Sequence, residues 1–175
     1  MDLLEPRAVH RRSGRDEAVD ALFRREHAHL VAYARLLVDD VQTAEDVVQE
    51  AFASLHRHWS GLVHEGAALG YLRTAVANGA RSQLRRRRTV RAFRAPRPVD
   101  VPSAESVVVR HENEQRLWDA LAHLPLRQRE VVLLRYFFDL SEAQIADELA
   151  ISRGSVKQHA SRAMAALGSR LEVAR

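Results

Sequence analysis

Residues 124–167 read LPLRQREVVLLRYFFDLSEAQIADELAISRGSVKQHASRAMAAL and contain the features that decide the fold. An apolar helix is expected over REVVLLRYFFDL. Ser141, followed three residues later by Gln144, predicts a capping box that opens a helix over residues 142–149. After the turn AIS, Ser152 is expected to cap the last helix. A short helix joined to a longer one by three or four residues predicts a helix-turn-helix.

The last helix of this motif would enter the DNA major groove with its first turns. Its packing face is expected to contain small and aliphatic residues, namely Val156, Ala160, Ala163, Leu167 and Leu171. On the opposite face, Gln158 and Arg162 can make bidentate contacts to adenine and guanine. Polar and basic neighbours suit phosphates. The candidate DNA-binding residues are Arg153, Ser155, Lys157, Gln158, Ser161 and Arg162. An ordinary amphipathic helical hairpin has the same spacing and remains the alternative.

The composition predicts an all-α protein. Its 175 residues are rich in helix-favouring Ala, Leu, Arg and Glu and contain only seven glycines and five prolines. Cysteine is absent, which excludes disulfides and thiolate metal sites within the chain. The N-terminus lacks the apolar core of a signal peptide, and no apolar run approaches transmembrane length. A cytoplasmic protein without membrane insertion is therefore expected.

The first half of the chain predicts two amphipathic helices. Apolar residues recur at steps of three and four from Asp16 to Leu37, and two aspartates, Asp39 and Asp40, then break the pattern. Thr43, with an acidic residue three positions later, is expected to cap the second helix. That helix should run to about residue 59.

A third helix is expected to start near Ala68 and to continue into four consecutive arginines. Its packing side contains Gly79, where a missing side chain permits close helix approach. Nine arginines and no acidic residue lie between Glu65 and Asp100, although the net charge of the chain is only +4. Such a concentration of positive charge is typical of a protein that binds a polyanion. A solvated basic linker without a partner is the alternative.

Charge and proline content divide the chain into four parts. Three prolines between residues 96 and 102 exclude a continuous helix there. The expected organisation is a disordered N-terminus at 1–16, a first helical domain at 17–90, a flexible linker at 91–111 and a helix-turn-helix domain at 112–175.

Together these residues resemble an extracytoplasmic-function (ECF) sigma factor of bacterial RNA polymerase, within the sigma-70 superfamily. The resemblance covers about residues 17–171. AEDVVQEAF (44–52) is similar to the polymerase-binding signature of the family's first domain. YLRTAVANGARSQLRRRR (71–88) is similar to its promoter-reading helix, and residues 124–167 resemble its second domain.

The resemblance implies a role for each motif. The second helix would bind the clamp helices of the largest polymerase subunit, although its acidic face could simply be solvated. The third helix would face the −10 promoter element, and the last helix would read the −35 element. The candidate polymerase-binding residues are Asp46, Gln49, Glu50 and Phe52, and the candidate −10 residues are Asn78, Arg81, Arg85 and Arg88.

Two further surfaces follow from the resemblance. Loop 60–70 is similar to the family's loop that captures an unstacked base, with Trp59 and His64 as candidates for its pocket. The apolar segment Val131–Phe138 could bind the polymerase flap, or could simply be buried. An anti-sigma protein commonly masks members of this family and is a possible partner.

Two positions depart from the family pattern. The family often has Asp where this chain has Ser82, and Gly where this chain has Ala150. If Ala150 adopts a left-handed conformation, the strain costs about 1 kcal/mol. Both departures bear on the detailed promoter contacts.

No catalytic or metal site is expected. His27 with His29, and His56 with His58, are two residues apart on predicted helices, so their rings point apart and cannot chelate. A Ser-His-Asp set, a glycine-rich phosphate loop and a metalloprotease signature are all missing from the sequence. Neither enzyme activity nor a cofactor is therefore expected. The rival functions are an autonomous helix-turn-helix regulator and a non-specific nucleic-acid chaperone.

Overall fold

The computed structural model describes residues 6–38, 40–59, 65–93 and 110–173 of the chain. Within these residues the structure is all-helical, as the sequence predicted. The seven helices are α1 (Pro6–Leu37), α2 (Val41–His58), α3 (Glu65–Phe93), α4 (Arg110–Ala122), α5 (Leu126–Tyr136), α6 (Glu142–Leu149) and α7 (Arg153–Val173). The chain divides into two compact units, Met1–Arg81 and Ser82–Arg175, whose boundary falls within α3. None of the helices described is long and apolar enough to span a bilayer.

Helix α1 begins at Pro6, ten residues before the apolar pattern starts at Asp16. Proline is favoured in the first turn of a helix, because its fixed φ suits the helix and its missing N–H would have no intrahelical partner. A polar surface is compatible with a helix, so the polarity of this segment did not mark a boundary. The helix thus includes most of the segment expected to be disordered, of which residues 1–5 lie outside the described part.

Helix α2 is capped by Asp40, and not by Thr43 as the sequence pattern had indicated. The Thr43 amide donates a hydrogen bond to Oδ1 of Asp40 at 2.8 Å, and the Thr43 hydroxyl donates to Oδ2 at 2.8 Å. Asp40 has an extended backbone and stands just before the first helical residue. Thr43 therefore occupies the third position of the helix, where its amide needs the acceptor that Asp40 supplies.

The N-terminal unit buries the apolar faces of α1, α2 and the first part of α3. The apolar face of α2 is buried, while Trp59, which follows the helix, is half-buried. The buried residues of α2 are Ala44, Val47, Val48, Ala51, Phe52 and Leu55. Arg73 is also buried, which the apolar pattern did not indicate. The largest fully buried side chains of this unit are Leu22, Leu30, Tyr33, Leu37, Val48, Leu55, Leu72 and Val76.

In the C-terminal unit, α4 and α5 are joined by a tight corner at Pro125. The Arg129 side chain donates hydrogen bonds to the carbonyl oxygens of Ala122 and Leu124, which satisfies acceptors at the end of α4. Leu117, Trp118, Leu121 and Leu124 have the spacing of one apolar helix face at α4, but this face is only partly buried. Leu121 and Leu124 lie in the core, but Leu117 and Trp118 are 45% and 38% exposed.

The helix-turn-helix of the second unit follows the sequence prediction closely. Ser141 and Gln144 form a complete capping box at the start of α6. Helix α6 ends at Ala150, which has φ 52° and ψ 49° and so is left-handed. The Ser155 amide then donates to Ser152 Oγ at 3.0 Å, so Ser152 caps α7 as predicted. Local hydrogen bonds thus fix the start and end of α6 and the start of α7.

Candidate functional site

Helix α7 buries one face and exposes the other. Val156, Ala160, Ala163 and Leu167 are buried in the C-terminal unit as predicted, whereas Leu171, in the last turn of the helix, is 39% exposed. All six candidate DNA-binding residues lie on the helix, and five of them are exposed while Ser155 is half-buried. The amide and the hydroxyl of Ser155 both share hydrogen bonds with the Ser152 hydroxyl. The exposed face of α7 is therefore polar and basic, with its base-contacting candidates in the first three turns.

Lys157 on this face belongs to a small ionic network. Its Nζ lies 3.7 Å from Oε2 of Glu142, the first residue of α6. The second carboxylate oxygen, Oε1, accepts a hydrogen bond from Nη1 of Arg135 on α5 at 3.3 Å. The sequence pattern gave no sign of Glu142 or Arg135, because three separate helices bring these residues together.

The −10 candidates of α3 are spaced three or four residues apart and therefore share one side of the helix. Asn78 and Arg85 are exposed, and Arg81 is half-buried. Arg81 Nη2 donates to Oδ1 of Asn78, and Arg81 Nε donates to the Ala77 carbonyl at 3.2 Å, so this arginine lies along its own helix. Arg88 follows one turn after Arg85 on the same helix, but its side chain lies outside the described part of the structure.

Polar residues of α2 form a second exposed surface. Asp46, Gln49 and Glu50 are exposed, and Glu50 accepts a hydrogen bond from Arg57 Nη2 at 2.7 Å. Phe52 does not share this surface. Its side chain is only 5% exposed and packs edge-on against Phe23 of α1, with ring centroids 4.9 Å apart.

Parts of the predicted base-capturing loop and of the expected linker lie outside the described residues. Loop residues 60–64, including His64, belong to this group, as do residues 94–109 of the expected linker. Trp59, the other candidate for the base pocket, follows α2 and is half-buried. In the same unit, Tyr71 of α3 and Ser54 of α2 share a hydrogen bond of 2.7 Å between their hydroxyl oxygens.

The apolar segment at Val131–Phe138 divides into buried and accessible parts. Val131 to Leu134 are buried in the core of the C-terminal unit, which accounts for their hydrophobicity. Tyr136 is exposed, and Phe137 and Phe138 are half-buried. Only the end of the segment is therefore accessible to a partner. Among the described residues, no group of three His, Cys, Asp or Glu side chains could hold a metal ion.

Comparisons with known proteins match both halves of this arrangement. The family model for sigma-70 region 2 matches residues 22–90, and that for sigma-70 region 4 matches residues 114–167. The RNA polymerase sigma-E factor of Streptomyces avermitilis is 32% identical over 143 residues, which cover 82% of this chain and 79% of that protein. The ECF RNA polymerase sigma factor SigM of Mycobacterium tuberculosis is 31% identical over 150 residues, which cover 86% of this chain and 75% of that protein. The chain belongs to the ECF sigma factors.

Solved structures agree with this family. The sigma factor RpoE of Bartonella quintana, crystallised with the anti-sigma factor NepR, matches with a TM-score of 0.71 and 26% identity over 89% of this chain and 97% of that chain. CnrH, solved with the cytosolic domain of CnrY, has the same fold, with a TM-score of 0.68 and 22% identity over 95% of each chain.

Membership of this family gives the two units their general roles. This sigma factor directs transcription initiation by RNA polymerase, and the sigma factor family is not catalytic. Region 4 binds DNA, and α7 lies within the residues that match it, apart from its last turns. Helix α2 and nearly all of α3 lie within the match to region 2. The role of each individual side chain remains a prediction.

Proposed function

We propose that this sigma factor reads the −35 promoter element with α7, faces the −10 element with α3, and binds the clamp helices of the largest polymerase subunit with α2. The observation that carries the proposal is the two-sided surface of α7. Gln158 and Arg162 are exposed on it, while its opposite face is anchored in the core. A rigid helix of this kind can present the same side chains to base edges at each binding event.

Charge supports the assignment of α3. Its exposed side carries Arg85 and Arg86, and a shallow concavity there is lined by these two residues with Ser82 and Thr89. Guanidinium and hydroxyl groups are donors for phosphate oxygens, which position a protein on DNA. We assign Arg88 to the same function on its spacing from Arg85 alone.

We assign the polar surface of α2 to polymerase binding because its side chains are exposed to solvent. Asp46, Gln49 and Glu50 are exposed. The hydrogen bonds from Gln42 to Asp46 and from Arg57 to Glu50 both lie within α2 itself, so this face stays accessible to a partner. Phe52 is buried and packs against Phe23 of α1. It would therefore stabilise the position of α2, and would not contact polymerase itself. We further propose that the exposed end of the apolar segment, at Tyr136, meets the polymerase flap, and that the protein acts in the cytoplasm, where polymerase is found.

Binding of core polymerase by the Glu50→Lys variant tests the proposed contact between α2 and polymerase. Asp20→Lys is the matched control, because Asp20 is exposed on α1 and the net charge changes equally. We expect E50K to weaken co-purification with core enzyme and D20K to leave it unchanged. Equal binding by both variants would remove Glu50 from the interface. Failure of the wild-type chain to bind core enzyme at all would favour an autonomous regulator.

Run-off transcription on genomic fragments with core enzyme tests the DNA contact. Arg162→Ala should reduce start-site-specific transcript several-fold or more, because a bidentate contact to guanine contributes about 1–3 kcal/mol of discrimination. Its binding to core enzyme should be unchanged. Arg170→Ala removes an exposed arginine from the far end of α7 and should leave transcription near wild type. Wild-type binding that is insensitive to promoter sequence would indicate a non-specific nucleic-acid chaperone.

We also propose that an anti-sigma protein regulates this chain, because the similar Bartonella quintana sigma factor was crystallised with one. A regulator of this kind should block run-off transcription by sequestering the chain. Added wild-type chain should then restore transcription in proportion to its concentration. A regulator that bound the holoenzyme without displacing the sigma factor would contradict this proposal.

A further inference from the structure

Glu142 stands at a junction between the DNA-reading helix and the two helices that support it. Its carboxylate is 3.7 Å from Lys157 on α7 and 3.3 Å from Arg135 on α5. Lys157 is 69% exposed at its side chain, whereas Glu142 is 30% exposed. The Glu142 carboxylate thus forms ion pairs with two cations. Lys157, the more exposed of the two, belongs to the polar surface of α7.

We propose that Glu142 is a positioning residue that sets the specificity of promoter binding, because its carboxylate orients Lys157 and its charge restrains non-specific attachment to DNA. The inference rests on the proposed use of α7 as the DNA-reading helix. It adds a residue that does not itself read bases and that lies outside the exposed face of α7.

The weaker binding to non-specific DNA follows from the charges of Glu142, Lys157 and the DNA phosphates. Phosphate contacts by lysine and arginine supply most non-specific affinity and make it depend on salt, whereas base contacts supply sequence discrimination. A carboxylate close to Lys157 offsets part of its charge and repels an approaching phosphate. Binding at a random sequence therefore loses part of a phosphate contact. At the cognate sequence the base contacts fix the position of α7, so a Lys157 that Glu142 has already oriented makes its phosphate contact at a lower entropy cost and recovers part of this loss. The difference in affinity between cognate and random sequences therefore increases.

Because the Glu142–Lys157 ion pair is partly exposed, its effect should appear in DNA binding more than in folding stability. Partly exposed ion pairs contribute little to folding because water and salt screen them. The interaction between Glu142 and Lys157 should therefore change the free energy of unfolding only slightly. A phosphate that approaches Lys157 displaces this screening water, so the carboxylate acts more strongly on DNA binding than on stability.

Holoenzyme assembled from core RNA polymerase and the full-length Glu142→Gln variant provides the test. Two probes are used, a promoter fragment identified by run-off transcription and a duplex of equal length with scrambled sequence. Glutamine retains an acceptor for Arg135 but removes the charge. Affinity for the scrambled duplex should rise about two- to five-fold at low salt, the range expected for a partly screened charge pair. The slope of log K against log salt should steepen by up to about one unit, since a whole added phosphate contact contributes about 0.9.

Two controls separate this effect from general changes. Asp147→Asn removes one negative charge from an exposed position of the same helix and should change neither the slope nor the preference for the promoter fragment. Glu142→Asp keeps the charge and should behave nearly as wild type. In a Lys157→Gln background, the effect of E142Q on the slope should largely disappear, because Glu142 acts through Lys157. Contributions of core polymerase are common to all variants and cancel in these differences.

The outcomes distinguish this inference from the proposed function. If wild-type holoenzyme prefers its promoter fragment and E142Q matches D147N in slope and preference, the inference is overturned while the proposed function stands. A lower melting temperature for E142Q with an unchanged slope would assign Glu142 a purely structural role at the start of α6. If wild-type holoenzyme shows no dependence on the −35 sequence, the proposed function of α7 fails first.

Discussion

A β-carbon added at Gly79 of α3 would lie 2.9 Å from Cγ1 of Val47 on α2. Real β-carbon contacts essentially never fall below 3.0 Å. Val47 is buried and β-branched, so its side chain has little freedom to move away. Glycine at this position therefore allows the second and third helices to approach closely, as expected from its place on the packing side of α3.

Gly79→Ala should consequently destabilise the N-terminal unit. Overpacking a core costs about 1–3 kcal/mol, and replacing a helical glycine by alanine returns about 1 kcal/mol. We expect a net loss of about 1 kcal/mol in the free energy of unfolding. Urea unfolding followed by tryptophan fluorescence measures it. In a Trp118→Phe background, the only remaining tryptophan is Trp59, which reports the N-terminal unit.

Two further variants test whether the contact with Val47 is the cause. A β-carbon added at Gly14 of α1 would have no atom within 4 Å, so Gly14→Ala should be neutral or stabilising. In the double variant Val47→Ala with Gly79→Ala, the two losses should be less than additive, because the smaller residue 47 accommodates the new methyl group. Strictly additive losses would show that the approach of the helices does not depend on this pair.

Ala150→Gly should stabilise the C-terminal unit. Ala150 has a φ of 52° at the end of α6, where a β-carbon is strained and glycine is not. We expect a gain of about 1 kcal/mol in the free energy of unfolding. A Trp59→Phe background leaves Trp118 as the reporter of this unit. The control Ala165→Gly, at an exposed position inside α7, should instead lose about 1 kcal/mol. A loss at both positions would contradict the left-handed backbone at Ala150.

The sequence predicted best those features of the helix-turn-helix that depend on residues close together in the chain. The capping box at Ser141 and Gln144 and the cap at Ser152 depend on residues three positions apart, so their geometry follows from the chain itself. Burial on α4 depends instead on which helices cover it. Leu117 and Trp118 fit the apolar stripe by spacing, but lie where the second unit leaves that side partly open.

The candidate site shows the same division between local and tertiary information. The exposed face of α7 follows from helical periodicity, so the accessible positions of Gln158 and Arg162 could be predicted. Phe52 was grouped with its neighbours by motif, although the periodicity of α2 assigns it to the buried side. The network around Glu142 joins α5, α6 and α7, and no sequence spacing indicates such a contact.

Asp40→Ala should cost the N-terminal unit about 1 kcal/mol, because it removes the acceptor for the Thr43 amide at the start of α2. Thr43→Val retains that hydrogen bond and loses only the one from the Thr43 hydroxyl, so its cost should be smaller. Urea unfolding in the Trp118→Phe background compares the two. A larger loss for T43V than for D40A would restore Thr43 as the residue that caps the helix.

Asp16 gives the N-terminal unit a predictable dependence on pH. The hydrogen bond from His56, at 2.9 Å, and that from Arg15 hold the pKa of the Asp16 carboxyl below its ordinary value of 3.8. A carboxyl whose pKa is lower in the folded state stabilises that state above its unfolded pKa, and this contribution is lost as the pH falls through the folded pKa. The stabilisation from Asp16 should therefore be present at neutral pH and disappear in acid below pH 3.8.

Melting temperatures of wild type and Asp16→Asn, measured from neutral pH into acid, test this dependence. The wild type should melt higher than D16N at neutral pH, by a small margin because the carboxyl is exposed. The two curves should converge below pH 3.8. Asp20→Asn removes an exposed carboxylate from the same helix and should show no such convergence. A difference between wild type and D16N that stays constant into acid would show that the hydrogen bonds of Asp16 do not favour its charged form, since a favoured charged form must release its stabilisation when it is protonated.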